Sequence, residues 1–248
     1  MDTKSVSAAV IGARHLRAAR NGQDAAASWT GDGTAAIVVC DGCGSSPSSE
    51  VGARLGAKLW IGELARELKA GGDPSDLAMW TRVRAAAIAA LGCLADTLAG
   101  DRERVVADYL LFTVVAAAVR RDRAGVWAIG DGVYALDGRQ RTLGPFADNE
   151  PPYVGYELLG TRIEPHFATH TADVGRAIVA TDGALELTLP LDDLVAEPAF
   201  THPDALRRRL ALLARGDERI RWDDRRIVRT PAALQDDCAV AALSWSAR

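Results

Sequence analysis

Asp-Gly occurs five times in this 248-residue chain, and the five copies divide into two chemical groups. Asp32-Gly33 and Asp137-Gly138 each separate two segments of strand character. Both residue types tolerate the backbone of a tight turn, so these two pairs predict β-hairpins. Asp41-Gly42, Asp131-Gly132 and Asp182-Gly183 instead each close a fully apolar run, at 35–40, 126–129 and 177–180. A carboxylate in that position emerges at the end of a buried strand. Asp24 stands just before the small apolar residues 25–27, and Asp236-Asp237 stands before a terminal apolar run at 238–243. Strands that carry several carboxylates to one place suffer mutual repulsion unless cations neutralise it. An all-oxygen donor set of Asp, backbone carbonyl and water suits Mg²⁺ or Mn²⁺, whereas zinc would draw on Cys and His, of which the chain has 4 each. Two such ions roughly 3.5–4 Å apart can activate a water and clamp phosphoryl oxygens for in-line attack. On residue chemistry alone, such a centre and a scatter of turn and surface acids are equal readings.

The elements that would position these acids are legible in outline. Between the first two apolar runs lie two helical patterns, one through Val51, Leu55, Leu59, Leu64 and Leu68, the other through Val83, Ala87, Leu91, Leu94 and Leu98. Gly52 and Gly56 share a face of the first and predict a close approach by a neighbouring element. The β-branched stretch 109–119 predicts a strand that turns through 120–124 into the next. A later helix is expected from about Pro203, capped by Thr201 or His202, repeating Leu206, Leu210 and Leu213 and ending at Gly216. Strands at both ends, with helices grouped between strand runs, predict an α+β sandwich rather than a doubly wound sheet. No linker or fixed-period repeat divides the chain, so residues 1–248 are expected to form a single domain.

Composition narrows the function classes. A formal charge of -4 gives no general attraction to nucleic acid, and the basic run 207–209 reads as the solvated face of a helix. The apolar part of 6–11 is short and followed at once by Arg14, His15 and Arg17, unlike a secretory signal. The apolar stretch 110–119 is too short to span a bilayer, so a cytoplasmic location without membrane partners is expected. Cys40, Cys43, Cys93 and Cys238 make no dense disulfide framework. The lone C-x-x-C at 40–43 reads as a core residue and a loop residue, not half of a zinc site.

The wording and order of the acidic segments add a further expectation. Asn21-Gly22-Gln23-Asp24, Val38-Val39-Cys40-Asp41-Gly42-Cys43-Gly44-Ser45, Ile129-Gly130-Asp131-Gly132, Ala180-Thr181-Asp182-Gly183 and Asp236-Asp237-Cys238-Ala239-Val240 together resemble the PPM family of type-2C protein phosphatases. The wording is closest to the bacterial branch, and it covers nearly the whole chain. The resemblance implies a four-layer α-β-β-α sandwich of two packed antiparallel sheets. It also implies hydrolysis of phosphoserine or phosphothreonine by water at two Mn²⁺ or Mg²⁺ ions. Asp41 matches the carboxylate that bridges both ions, and the Gly42 carbonyl a ligand of one. Asp182 and Asp236 match ligands of the other ion. Asp24 matches the acid that acts through metal-bound water, and Asp131 a contributor, with Asp182, to a possible third metal. The substrate implied is a phosphorylated protein, such as a target of a Ser/Thr kinase. Arg20, or His15, is the expected phosphate-binding residue. The His that many relatives carry after this Asp-Gly is Cys43 here, so that position supplies no imidazole acid. The alternative is a catalytically weak or inactive module of the same fold that binds phosphoproteins or acts as a scaffold. The segment 144–156 reads equally as a partner-selecting loop beside the site and as an inert connection.

Overall fold

The computed structural model describes residues 1–98, 100–202 and 204–246. In chain order the elements are β1 (Asp2–Val10), α1 (Ala13–Arg17), β2 (Ala25–Gly31), β3 (Thr34–Gly42), α2 (Ser49–Lys69), α3 (Leu77–Thr97), α4 (Arg102–Val105), β4 (Phe112–Arg120), β5 (Arg123–Ile129), β6 (Gly132–Leu136), β7 (Arg139–Leu143), β8 (His166–Thr171), β9 (Val174–Ala180), α5 (Leu191–Leu194), α6 (Pro198–Thr201), α7 (Ala205–Leu213), β10 (Asp217–Arg221), β11 (Arg226–Thr230) and β12 (Cys238–Ser246). Two five-stranded antiparallel sheets result, ordered β1-β12-β9-β6-β7 and β2-β3-β4-β5-β8.

Three apolar layers follow from the alternation along the strands. Ala36, Val38 and Cys40 of β3 face α2 and α3, while Ala35, Ile37 and Val39 face the other sheet. β4 divides in the same way, with Val114, Ala116 and Ala118 toward the helices and Val115, Ala117 and Val119 between the sheets. The outer face of the β1-β12-β9-β6-β7 sheet packs Val240, Ala242 and Ile178 against Leu206 and Leu210 of α7. Helices, sheet, sheet and helices therefore stack in four layers, the α+β sandwich expected.

The two-residue turns fall where Asp-Gly predicts them. Gly31 pairs with Thr34 around Asp32-Gly33, and Leu136 pairs with Arg139 around Asp137-Gly138. The strand expected from 109 begins at Phe112, after a π-helical turn over Val106–Leu110. β12 runs to Ser246 rather than ending near 243, because it is paired on both sides, with β1 and β9, along its length. Pro203 lies outside the described residues. α7 begins at Ala205, with Asp204 at its boundary in place of Thr201 or His202. α3 has the length and composition of a membrane span, but Met79, Trp80, Val83, Ala87 and Leu91 bury its inner face in the helix–sheet layer. Among them Trp80 stacks on Trp127 of β5, with centroids 6.3 Å apart.

Side chains at Gly52 and Gly56 would overlap Tyr109 and Phe112, which is the close approach expected of this helix face. Gly62 of the same helix has open space around its missing Cβ. Gly56→Ala should therefore destabilise the fold by about 1–3 kcal/mol through overpacking. Gly62→Ala should stabilise it by roughly 0.5–1 kcal/mol through helix propensity. Urea unfolding of the two variants reads both signs; stabilisation by both would remove the packing argument.

Candidate metal centre

Register alone gathers the strand-end acids at one end of the sandwich. β2 pairs with β3 so that Ala25 lies opposite Cys40, which sets Asp24 beside Asp41. In the other sheet Ala180 lies opposite both Val133 and Val240, which brings Asp182, Asp131 and the Asp236-Asp237 doublet to the same end. The crossing between sheets occurs at Asp131, flanked by Gly130 and Gly132 at φ +92° and +126°, a backbone that L side chains rarely adopt. Asp24, Asp41, Gly42, Asp131, Asp182 and Asp236 all line one cavity of about 260 Å³.

The carboxylates are close enough for each to act on its neighbours' protonation: Asp24 and Asp182 on Asp41, and Asp182 on Asp131. Neighbouring carboxylates of this kind favour a proton or a cation between them. Burial, with the charges of Asp237 and Asp182, pushes Asp24 up to about 8, against the opposing hydrogen bonds of Thr181 and Asp41. Burial and the charges of Asp24, Asp182 and Asp131 hold Asp41 well above the carboxylate range. Burial and the charge of Asp182 push Asp131 up to about 6. Among the described residues no three His, Cys, Asp or Glu side chains form a closed chelate as they stand. The donors are nonetheless all oxygen, mutually repelling and arranged around open space, which is the chemistry a hard divalent cation satisfies.

The surrounding residues hold these acids in place. Thr181 Oγ1 donates to Asp24 Oδ2 at 2.6 Å and accepts from the Ala239 N–H at 2.9 Å, so it bridges the two sheets. Gln23 Nε2 donates to the Cys43 carbonyl at 3.1 Å and to Ser49 Oγ at 2.7 Å, which braces the loop after Asp41. Cys43 is in the cavity wall, where burial raises its thiol but hydrogen bonds with Ser45, Tyr153 and Ser46 outweigh this and lower it. Cys40 belongs to the helix-facing core, so the C-x-x-C divides between core and loop as expected.

One expected position moves. Arg20 is exposed and does not line the cavity: the chain leaves α1 through Ala19 at φ +51°, and the basic side chains in the wall are Arg14 and His15. Thr113, opposite Asp41 on β4, also lines the cavity, as do Pro151 and Tyr153. Thr113, Thr181 and the bracing role of Gln23 carried no signal in the sequence, because each depends on pairing between distant strands or loops.

The sequence profile of the family described as Protein phosphatase 2C matches residues 11–219. No curated protein matches the sequence. Among solved structures, PppA, described as a key regulatory component of T6SS in Pseudomonas aeruginosa, is 18% identical with a TM-score of 0.62, over 98% of this chain and 97% of that one. The Mycobacterium tuberculosis serine/threonine phosphatase PstP/Ppp is 16% identical with a TM-score of 0.58, over 100% of both chains. A PstP catalytic domain in complex with two manganese ions is 18% identical with a TM-score of 0.53, over 98% of this chain and 99% of that one. At these identities the likeness is one of fold.

Repulsion at this end has a pH signature in metal-free protein. Asp24 shifts from 3.8 in the unfolded chain to about 8 in the folded one, so between those values the folded state binds more protons. Its contribution to stability is then complete at low pH and lost as pH rises toward 8. Chelator-treated protein should melt at least about 5 °C lower at pH 8 than at pH 5. The gap should shrink in Asp24→Asn, which keeps an acceptor for Thr181 without the charge. An equal gap in wild type and variant would contradict this assignment.

Proposed function

The chain belongs to the protein phosphatase 2C family, and from that premise we propose that it is a metal-dependent protein serine/threonine phosphatase acting on phosphoserine and phosphothreonine. The observation that carries this reading is the convergence of acids from both sheets on one cavity, where burial and mutual charge raise Asp24, Asp41 and Asp131 and the guanidinium in the wall, Arg14, pairs among these acids only with Asp236, at 3.9 Å. Asp41 would be shared by two divalent cations, Mn²⁺ or Mg²⁺, with the Gly42 carbonyl on one and Asp182 and Asp236 on the other. Asp131 with Asp182 would serve a third. When bound, such cations supply Lewis acidity to water and to the phosphoryl oxygens. Asp24, buried at 9% exposure and fixed by Thr181, holds a proton or orients a water at that centre.

The chain's remaining contributions concern the substrate. Arg14, with its side chain 63% exposed at the cavity wall, offers a guanidinium to an incoming phosphate or to acidic residues around it. Pro151 and Tyr153 bring the segment 144–156 to the cavity, which suits that segment to choosing among phosphorylated proteins, the targets of Ser/Thr kinases. The apolar layer shared by both sheets supports reading residues 1–248 as one phosphatase domain.

Hydrolysis of a phosphothreonine peptide should require Mn²⁺ or Mg²⁺ and stop in excess chelator. Asp41→Asn and Asp182→Asn should lose at least about 100-fold in kcat/KM. Asp32→Asn and Asp137→Asn should stay within about threefold of wild type, since Asn suits both turns. Metal binding without turnover would favour the inactive phosphoprotein-binding module instead.

A further inference from the structure

We propose that His15, oriented by the buried carboxylate of Asp237, is the general acid that protonates the departing seryl or threonyl oxygen. The proposal rests on the phosphatase reading above. Breaking the bond between phosphorus and an alkyl oxygen leaves an alkoxide, and a positioned proton donor is typically worth about 10²–10⁴ in rate. Most side chains around the cavity are poor candidates. Asp41, Asp131, Asp182 and Asp236 are assigned to cations, Asp24 is buried and tied to Thr181, Arg14 does not release its proton, and Tyr153 is pushed above its ordinary range by burial and by its contact with Cys43. His15 is the one imidazole among the residues lining the cavity.

Its setting is built rather than incidental. His15 Nδ1 lies 2.7 Å from Asp237 Oδ2, and Asp237 is only 4% exposed. The same carboxylate accepts the Gln23 N–H on Oδ2 at 2.6 Å and the Gly12 N–H on Oδ1 at 2.7 Å. With backbone N–H groups already donating to a carboxylate that can only accept, the ring must present Nδ1–H to it. Nε2 is then the nitrogen free to serve the cavity that His15 lines, and among the described residues the ring hydrogen-bonds through Nδ1 alone. α1 is stitched to the loop that carries Asp236 and Asp237. Ala13 N–H donates to the Leu234 carbonyl at 3.2 Å and Arg14 N–H to the Gln235 carbonyl at 2.9 Å. A side chain at Gly12 would overlap the Asp236 backbone. A buried acid that fixes the tautomer and direction of an imidazole recurs in triad-type sites on unrelated folds.

In the step, the bond from phosphorus to the seryl oxygen breaks and its electron pair goes to that oxygen, which takes the proton from His15 Nε2. The oxygen of water forms the new bond to phosphorus. One of its protons stays on the product phosphate and the other leaves to solvent, from which His15 is reprotonated.

The test compares a phosphothreonine peptide with p-nitrophenyl phosphate, whose leaving group departs readily without a proton. His15→Asn keeps an amide donor for Asp237 while removing Nε2, and Asp237→Asn removes the orienting charge but sets its NH₂ against one of the donors, so it is compared only if its melting temperature stays near wild type. With metal content and melting temperature near wild type, His15→Asn should lose kcat/KM on the peptide at least about 30-fold more than on the aryl ester. Asp237→Asn should move the ratio in the same direction by less. Equal losses on both substrates, or no loss on the peptide, would overturn the proposal. Wild-type protein inactive on both substrates with Mn²⁺ present would instead refute the phosphatase reading beneath it.

Discussion

Repulsion between carboxylates at one end of the sandwich is the constraint on which the rest of the structure depends. Asp24 and Asp41 come from neighbouring strands of one sheet, and Asp182 comes from the other sheet. Yet the charges of both others act on Asp41 at the end of its strand. Nothing in their own chemistry favours that meeting without a proton or a cation. It is enforced by the central strands β3 and β4, which are buried on both faces over nearly all their length and cannot slide without turning every core side chain to the wrong side. The centre is thus held by burial far from it.

The distribution of residue sizes between the layers serves the same end. The layer between the sheets contains Ala35, Ala117, Ala124, Ala128, Ala177, Ala239 and Ala241, whereas Trp60, Trp80 and Trp127 lie in the layer between one sheet and its helices. Small side chains let two sheets approach closely, and close approach is what allows acids carried by different sheets to act on one another. Trp60, Trp80 and Trp127 lie on the far side of the sheet, where they do not separate the two halves of the site, and the tryptophan that does enter the layer between the sheets, Trp245, sits at the end of β12 away from Asp236. Thr181 then ties one sheet's turn to the other sheet's Asp24 through a single hydroxyl.

What was legible in the sequence follows from which interactions are local. An apolar run that ends in Asp-Gly states both a buried strand and the position of its carboxylate, so Asp41, Asp131 and Asp182 were readable, as were the turns at Asp32 and Asp137. The full length of β12 was not, because Ser244 and Ser246 are held by neighbours on both sides rather than by their own pattern. The β10–β11 hairpin was missed for a different reason. Every residue in both of its strands is exposed, so no apolar alternation marks it. The choice between Arg20 and the Arg14–His15 pair was also out of reach. It is decided where α1 meets the loop before β12, a contact between the two ends of the chain.

The Asp236-Asp237 doublet shows how neighbouring identical residues acquire different chemistry. Asp236 keeps its side chain 50% exposed, while Asp237 is buried among three donors. The chain bends at Asp236, so its carboxylate stays exposed at the cavity wall while that of Asp237, in the same wall, turns into the cradle formed by Gly12, His15 and Gln23. The Asp236 carboxylate also accepts the Asp237 N–H at 2.9 Å, which fixes the bend between them. At 237 an amide would be a poor substitute. Donors approach both oxygens, Gly12 on Oδ1 and Gln23 and His15 on Oδ2, and an NH₂ group in either place would set donor against donor. The second acid of the doublet is therefore selected by its inward partners, and its charge is available to His15 because two backbone amides hold the carboxylate in place.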